Sequence, residues 1–188
     1  MKSTLRLALS LFIALALLTL VSCNKGTGSG EDTARSSPTP ASISSSAQVV
    51  KVTSAAVTLS QNSPADAVVT LSISPGFHVN ANPATFSYLI ATEVNHTVDP
   101  DENLPVMGRP VYPTPVRKKF SFAEQPMAVY EGDVSVKLPL SLPDPKRTYG
   151  NIRSGPLSFP ITVKVQACDE EKCYPPATLN STISVTVK

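Results

Sequence analysis

The sequence predicts an all-β domain built as an antiparallel sandwich, and three observations lead to this fold class. Apolar residues alternate with polar ones in several short runs, as they do in strands that bury one face. No segment shows the spacing of three and four residues that is typical of an amphipathic helix. The 18 prolines among 188 residues favour strands joined by irregular loops. An immunoglobulin-like antiparallel β-sandwich is the architecture that fits this pattern.

Four runs show the alternation most clearly, and each predicts a strand. Their apolar members are Val69, Leu71 and Ile73; Val134, Val136, Leu138, Leu140 and Leu142; Ile161, Val163, Val165 and Ala167; and Ile183, Val185 and Val187. In each run these side chains should face the core and the intervening ones the solvent. The absence of tryptophan, and of any cysteine early in the domain, excludes an antibody-type domain with its inter-sheet bridge.

Residues 1–23 have the pattern of a lipoprotein signal peptide. Basic residues precede an apolar run over residues 7–20, which is shorter than the roughly 20 apolar residues of a membrane-spanning helix. Residues 20–23, Leu-Val-Ser-Cys, resemble a bacterial lipobox. We therefore expect Cys23 to be lipidated and to anchor the protein stably in a membrane. An ordinary cleaved signal with an incidental cysteine is the alternative.

Residues 24–47 predict a flexible tether, because they are rich in Ser, Gly, Thr, Ala and Pro and bury too little apolar surface to offset ordering. Residues 48–188 are left for one folded domain with its own core. Asn24 occupies the position where aspartate often signals inner-membrane retention, which favours the outer membrane. The expected location is the cell envelope, with the domain facing the periplasm.

Charge and motifs exclude several functional classes. A net charge of +2 without a basic stripe argues against nucleic-acid binding. The chain lacks a glycine-rich phosphate loop, a paired metal motif and a nucleophile elbow, so we expect no cofactor and no metal. His78 and His96 are the only histidines; either could ligate copper with Met107 or Met127, but no spacing indicates such a site.

The remaining two cysteines, Cys168 and Cys173, flank four turn-like, charged residues, 169–172. Continued alternation from the third strand places Cys168 on the polar face, pointing towards solvent at the strand end. A four-residue hairpin loop would set the two cysteines directly opposite each other, where a small adjustment allows a disulfide. Disulfides persist in the oxidising compartment that the signal peptide indicates.

Such a bond could be a structural staple or a redox centre. Closing a loop of about six residues stabilises a fold by roughly 2 kcal/mol, against about 4.7 kcal/mol for a hundred-residue loop. The small gain favours a bond that opens and closes, although a plain hairpin staple stays open as an alternative. The acidic residues 169–171 should raise the thiol pKa values, and Lys172 should partly oppose them.

Residues 168–178, Cys-x4-Cys-Tyr-Pro-Pro-Ala-Thr, resemble the active-site hairpin of the N-terminal periplasmic domain of the thiol:disulfide interchange protein DsbD, also called the disulfide bond corrector domain. Residues 76–83, 116–122 and 129–132 resemble the same family and extend the match over roughly residues 50–188. The resemblance implies an immunoglobulin-like sandwich that passes reducing equivalents to thioredoxin-like partners in the periplasm.

The resemblance also implies roles for individual residues. Cys173 would form the mixed disulfide with a partner, and Cys168 would resolve it. An aromatic cap loop shields the cysteines in the family, and Phe120 or Phe122 would be its equivalent, unless both are plain core aromatics. Tyr174 would flank the sulfurs or simply pack.

Two departures from the family pattern affect the functional prediction. The best-known member has five residues between its cysteines, whereas this chain has four. DsbD continues into a membrane domain and a thioredoxin-like domain, whereas this sequence ends at Lys188. We therefore expect a protein thiol–disulfide oxidoreductase that receives electrons from a separate membrane donor. The alternative is a non-catalytic immunoglobulin-like lipoprotein that binds a partner and contains a structural disulfide.

Overall fold

The structure is a computed structural model that describes residues 42–61, 63–96, 104–144 and 153–188. All of these residues lie in one compact unit, Pro40–Lys188. The predicted signal peptide with Cys23, and residues 24–41 of the predicted tether, lie outside the described residues. Within the described ranges, no helix has the length and apolar character needed to cross a membrane.

Strands account for most of the described fold, and a short 3-10 helix, Ser46–Gln48, precedes them. The strands are β1 (Val50–Ser54), β2 (Val57–Leu59), β3 (Ala65–Ile73), β4 (His78–Asn80), β5 (Glu93–His96), β6 (Val106–Met107), β7 (Val116–Lys118), β8 (Met127–Tyr130), β9 (Asp133–Ser141), β10 (Gly155–Val165), β11 (Ala167–Cys168) and β12 (Ala177–Val187).

Two four-stranded sheets enclose the main core. One has the order β1-β3-β9-β6 and the other β2-β12-β10-β5. All of their pairs are antiparallel except β2 with β12, which is parallel. The inward side chains of both sheets, such as Leu71 and Val136 from one and Val163 and Ile183 from the other, belong to one buried cluster. The predicted all-β, immunoglobulin-like sandwich is therefore confirmed.

The period-two alternation is visible in the burial of the long strands. In β9, for example, Val134, Val136, Leu138 and Leu140 are buried while the residues between them are more exposed. The third predicted strand is divided, however. Strand β10 pairs with β12 as far as Val165, and the chain then leaves that sheet.

A third sheet, of order β11-β4-β8-β7, forms after this division. Gln166 lies between β10 and β11, and its side-chain oxygen accepts hydrogen bonds from Asn80 Nδ2 at 3.2 Å and from Ile90 N at 3.0 Å. These bonds hold the chain where it changes sheets. Ala167 and Cys168 then pair with Val79 and His78 of β4.

The 3-10 helix fastens the start of the fold to this third sheet. The Ser46 hydroxyl donates to the carbonyl oxygen of Pro175 at 2.8 Å and accepts from Ala167 N at 2.9 Å, and Ser46 N also donates to that carbonyl at 3.1 Å. Ser46 is fully buried. The ordered fold therefore includes the last residues of the segment for which composition predicts a tether.

Candidate functional site

The two cysteines of the predicted hairpin are joined. Cys168 and Cys173 form a disulfide, with their Cα atoms 3.9 Å apart, and they face each other as antiparallel bridge partners. The prediction that a four-residue loop sets them opposite each other is confirmed.

The carboxylate of Asp169 organises the loop between the cysteines. Its Oδ1 accepts hydrogen bonds from the backbone N–H groups of Glu171 and Lys172, both at 2.8 Å, and its Oδ2 accepts one from the Tyr174 hydroxyl at 2.6 Å. This is the Asx-turn use of aspartate. Burial by itself would raise the pKa of Asp169, but the hydrogen bonds from Tyr174 and the two backbone groups outweigh it and lower the pKa.

Cys168 is 0% exposed, so the prediction that it points towards solvent is wrong. That prediction assumes that one face of the strand is exposed to solvent. After the division at Gln166 the chain enters the third sheet, where neither face of the strand is open and Ala167 and Cys168 are both buried. Cys173 is partly exposed, and it is therefore the more accessible of the two.

His78 extends the pair into a row of three side chains. It is the β-pair partner of Cys168 on one side, and Cys173 is the partner on the other. Directly opposite residues of antiparallel strands project from the same face with Cβ atoms about 4.5–5.5 Å apart. His78 therefore lies next to the disulfide, although it is 90 positions from Cys168 in the sequence.

An aromatic stack lies on the His78 end of this row. The Phe120 ring lies on the His78 imidazole, with ring centroids 4.0 Å apart and planes inclined by 19°. Phe122 stacks on Phe120 in turn, at 5.5 Å. Phe120 is 1% exposed and Phe122 is 39% exposed, so Phe120 is the inner ring and Phe122 the outer one.

Both phenylalanines belong to the loop between β7 and β8, residues 119–126, which we call the cap loop. Its Ser121 hydroxyl donates to the backbone oxygen of Glu170 at 3.0 Å. Lys118, just before the loop, pairs with Glu170 at 2.9 Å and with Glu131 at 2.8 Å. The hydrogen bonds to Glu131 and Glu170 raise the pKa of Lys118. These exposed contacts join the cap loop to the cysteine hairpin.

Tyr174 flanks the hairpin on its other side. Its ring packs against Phe77 with centroids 5.9 Å apart, and the Lys172 ammonium lies 5.4 Å from its centroid. The hydrogen bond to Asp169 raises the pKa of its hydroxyl. Tyr174 is thus fixed beside Cys173 by contacts with both ends of the loop.

His78 is a site residue that sequence reasoning considered only as a copper ligand. It is 1% exposed, and its Nε2 has no hydrogen-bond partner among the described residues. Burial lowers its pKa from 6.5 to about 4, so the imidazole is neutral at pH 7. In the described part of the chain, no three His, Cys, Asp or Glu side chains are grouped as metal ligands.

A comparison with known protein families assigns this chain to one of them. The family model described as thiol:disulfide interchange protein DsbD, N-terminal, matches residues 46–184. The chain belongs to this family. Thiol–disulfide interchange is the general activity that this family suggests. No curated protein sequence matches the chain.

Several solved structures are similar to this DsbD N-terminal family member. The reduced DsbD N-terminal domain of Neisseria meningitidis is 19% identical, with a TM-score of 0.39, over 64% of this chain and 78% of that one. The N-terminal periplasmic domain of ScsB from Proteus mirabilis is 11% identical, with a TM-score of 0.41, over 73% of this chain and 45% of that one. The CssB subunit from enterotoxigenic Escherichia coli is 16% identical, with a TM-score of 0.40, over 76% of this chain and 99% of that one.

Proposed function

We propose that this protein is a thiol–disulfide interchange module that passes reducing equivalents between thioredoxin-like partners through Cys168 and Cys173. The observation that carries the proposal is a bonded cysteine pair with one buried and one accessible member, in a chain of the DsbD N-terminal family. A separate membrane protein would supply the electrons.

The difference in burial supports a division of labour between the cysteines. In the reduced protein, Cys173 attacks the disulfide of a partner as a thiolate and forms a mixed disulfide, which releases one partner thiolate. Cys168 then attacks the Cys173 sulfur, closes the internal disulfide and releases the second partner thiolate. Two electrons and two protons pass to the partner. The reverse sequence reloads the module from its donor.

We assign the shielding role to Phe120 and an outer position to Phe122. Phe120 lies on His78, the neighbour of Cys168 in the row, so the closed cap loop covers the side of the row where the resolving cysteine lies. Its anchoring cluster is small, with Ala123, Met127 and Val129 as the other buried members. Opening the cap loop breaks its exposed contacts with the hairpin, the Phe120–His78 stack and this small cluster, and it leaves the main core in place.

The proposed location is the cell envelope, with a lipid on Cys23 and the domain facing the periplasm. Residues 24–41 of the predicted segment would tether the domain. This part of the proposal rests on the sequence pattern of residues 1–23.

The complete burial of Cys168 favours a second candidate function, a non-catalytic lipoprotein in which the disulfide is a staple. A staple and a carrier respond differently to reduction. Reducing a staple should lower the free energy of unfolding by about 2 kcal/mol and produce no exchange. A reduction potential below about −300 mV would also mark a structural bond.

A trapping experiment separates the two functions. The Cys168→Ser variant keeps the accessible sulfur and lacks the resolving one, so it should accumulate a mixed disulfide with a thioredoxin-like protein through Cys173. Cys173→Ser is the matched control, because it keeps only the buried sulfur and should trap nothing. If Cys168→Ser captures no partner from cell-envelope extracts, and does not react with purified thioredoxin, the carrier function is wrong.

A further inference from the structure

The buried imidazole of His78 has a chemical capacity that the interchange function leaves unused. Stacking on Phe120 needs only an aromatic ring, and a phenylalanine at this position would provide one. A histidine instead buries a nitrogen, Nε2, that no described residue hydrogen-bonds. Burying an unpaired polar atom costs free energy, so its presence at this place calls for a partner in another state of the site.

Reduction of the disulfide creates such a partner. In the oxidised protein neither sulfur bears a hydrogen. In the reduced protein Cys168 is a thiol, and it lies directly across the β4–β11 pair from His78. We propose that His78 is the proton acceptor for the Cys168 thiol when Cys168 resolves a mixed disulfide. In the reverse reaction, His78 takes up the proton that the attacking thiol releases, directly or through water, and delivers it to the departing Cys168 thiolate.

This inference rests on the interchange function and adds the proton path to it. The proton of the Cys168 thiol moves to Nε2, and the resulting thiolate attacks Cys173 Sγ. A Cys168–Cys173 bond forms, the bond from Cys173 to the partner breaks, and the partner leaves as a thiolate. The imidazolium then gives its proton to that thiolate or to water. Cys168 is buried, so it needs a base inside the protein.

The surroundings suit His78 for this exchange. Desolvation by burial is the largest influence on the pKa of His78 and lowers it. The imidazole is therefore neutral and able to accept a proton. The charged groups around it are Glu131, Glu170 and Asp169, which favour the imidazolium, and Lys118, which opposes it. Once Cys168 ionises, its own negative charge stabilises the imidazolium beside it. The proton acceptor thus becomes more basic as the thiolate forms.

The experiment isolates the resolving step with a synthetic leaving group. Reduced full-length protein is treated with dithiobis(nitrobenzoate), which forms a mixed disulfide on Cys173 and releases one coloured thiolate. A second coloured thiolate appears when Cys168 attacks. Because this leaving group needs no proton, the rate of the second release reports proton removal from Cys168.

In the wild type this rate should change little between about pH 6 and pH 8, because the neutral base is present throughout. In His78→Phe, which keeps the stack on Phe120, the rate should fall by about 10²-fold at the lower pH. It should then rise about tenfold for each pH unit, since the reaction now depends on free thiolate. His96→Phe is the control, because the chain's other histidine lies in β5 of another sheet.

A His78→Phe variant with the wild-type rate and pH profile would overturn the inference and leave the interchange function intact. A wild type that never releases the second thiolate would overturn both. If His78→Phe does not fold, nitrogen NMR of the wild-type imidazole gives the decision. The oxidised protein should show no titration of His78 between about pH 5 and pH 9, and the reduced protein should show one coupled to Cys168. Identical behaviour in the two redox states would contradict the inference.

Discussion

Neutralising Glu170 should speed reduction of the disulfide, because its side chain ties Lys118, the residue before the cap loop, to the hairpin. Its carboxylate pairs with Lys118 at 2.9 Å, with side-chain exposures of 39% for Lys118 and 62% for Glu170. Exposed pairs of this kind contribute about 0.2–1 kcal/mol. In Glu170→Gln, the pair of Lys118 with Glu131 and the bond from Ser121 to the Glu170 backbone both persist. The substitution therefore removes one bridge.

A loss of about 0.2–1 kcal/mol from the closed state raises the open population by about 1.4-fold to fivefold. The assay is the rate at which limiting dithiothreitol, or reduced thioredoxin, reduces the Cys168–Cys173 bond. If opening precedes reaction, the rate should rise by the same factor. Added salt should accelerate the wild type towards the Glu170→Gln rate and leave the variant nearly unchanged, because salt screens exposed charges.

Glu171→Gln is the matched control, because it removes the same charge from the next position of the loop. It should react at the wild-type rate. Equal acceleration in both variants would show that the change acts through the charge near the sulfurs and not through the bridge. No acceleration in Glu170→Gln at low salt would refute the role of this bridge in closing the cap loop.

Three further predictions concern stability. Ser46→Ala leaves the buried N–H of Ala167 without its acceptor and should lower the free energy of unfolding by about 1–3 kcal/mol, measured by urea denaturation. Phe120→Ala should cost about 3–5 kcal/mol by the same measurement and expose the disulfide to reductant, whereas Phe122→Ala should do less of both, because its ring is 39% exposed. The folded-state pKa of His78, about 4, lies below its ordinary 6.5, so the unfolded chain binds more protons between these values. This difference in pKa should contribute about 3 kcal/mol to the free energy of unfolding, fully present above about pH 6.5 and lost as pH falls to about 4. The His78→Phe variant should lack this pH dependence.

The controls for these predictions come from the same chain. Ser44→Ala changes an exposed serine near Ser46 and should leave stability nearly unchanged. Equal effects of Phe120→Ala and Phe122→Ala on stability and on reductant access would contradict the inner and outer positions given to the two rings. A His78→Phe variant that still loses stability between about pH 6.5 and pH 4 would assign that loss to other groups.

The strands and the cysteine hairpin could be predicted from the sequence because both depend on short-range patterns. Alternation with a period of two determines which residues of β9 are buried, and the short spacing between Cys168 and Cys173 permits a hairpin whatever the rest of the chain does. Each of these features is set by residues within about ten positions of one another, where local geometry decides the outcome.

The surroundings of the cysteines could not be predicted in the same way, because they come from distant parts of the chain. The burial of Cys168 follows from the change of sheet at Gln166, and that change depends on bonds to Asn80 and Ile90. The pairing of Cys168 with His78 is a matter of register between strands far apart in the sequence, which no local pattern reveals. The role of Ser46 could not be predicted for another reason, because the residues around it have the composition of a linker.

The hydrogen bonds from Ser46 to Pro175 restrict how another protein can approach the sulfurs. Pro175 and Pro176 have no N–H to offer, and the one carbonyl of Pro175 already accepts two hydrogen bonds from Ser46. An incoming chain therefore cannot lengthen the sheet along this prolyl stretch by strand addition. For the proposed thioredoxin-like partners, selectivity at this stretch would then come from the shapes and charges of side chains around Cys173. If the interchange function is correct, exchanging those surface groups should change which partners react while leaving the sandwich intact.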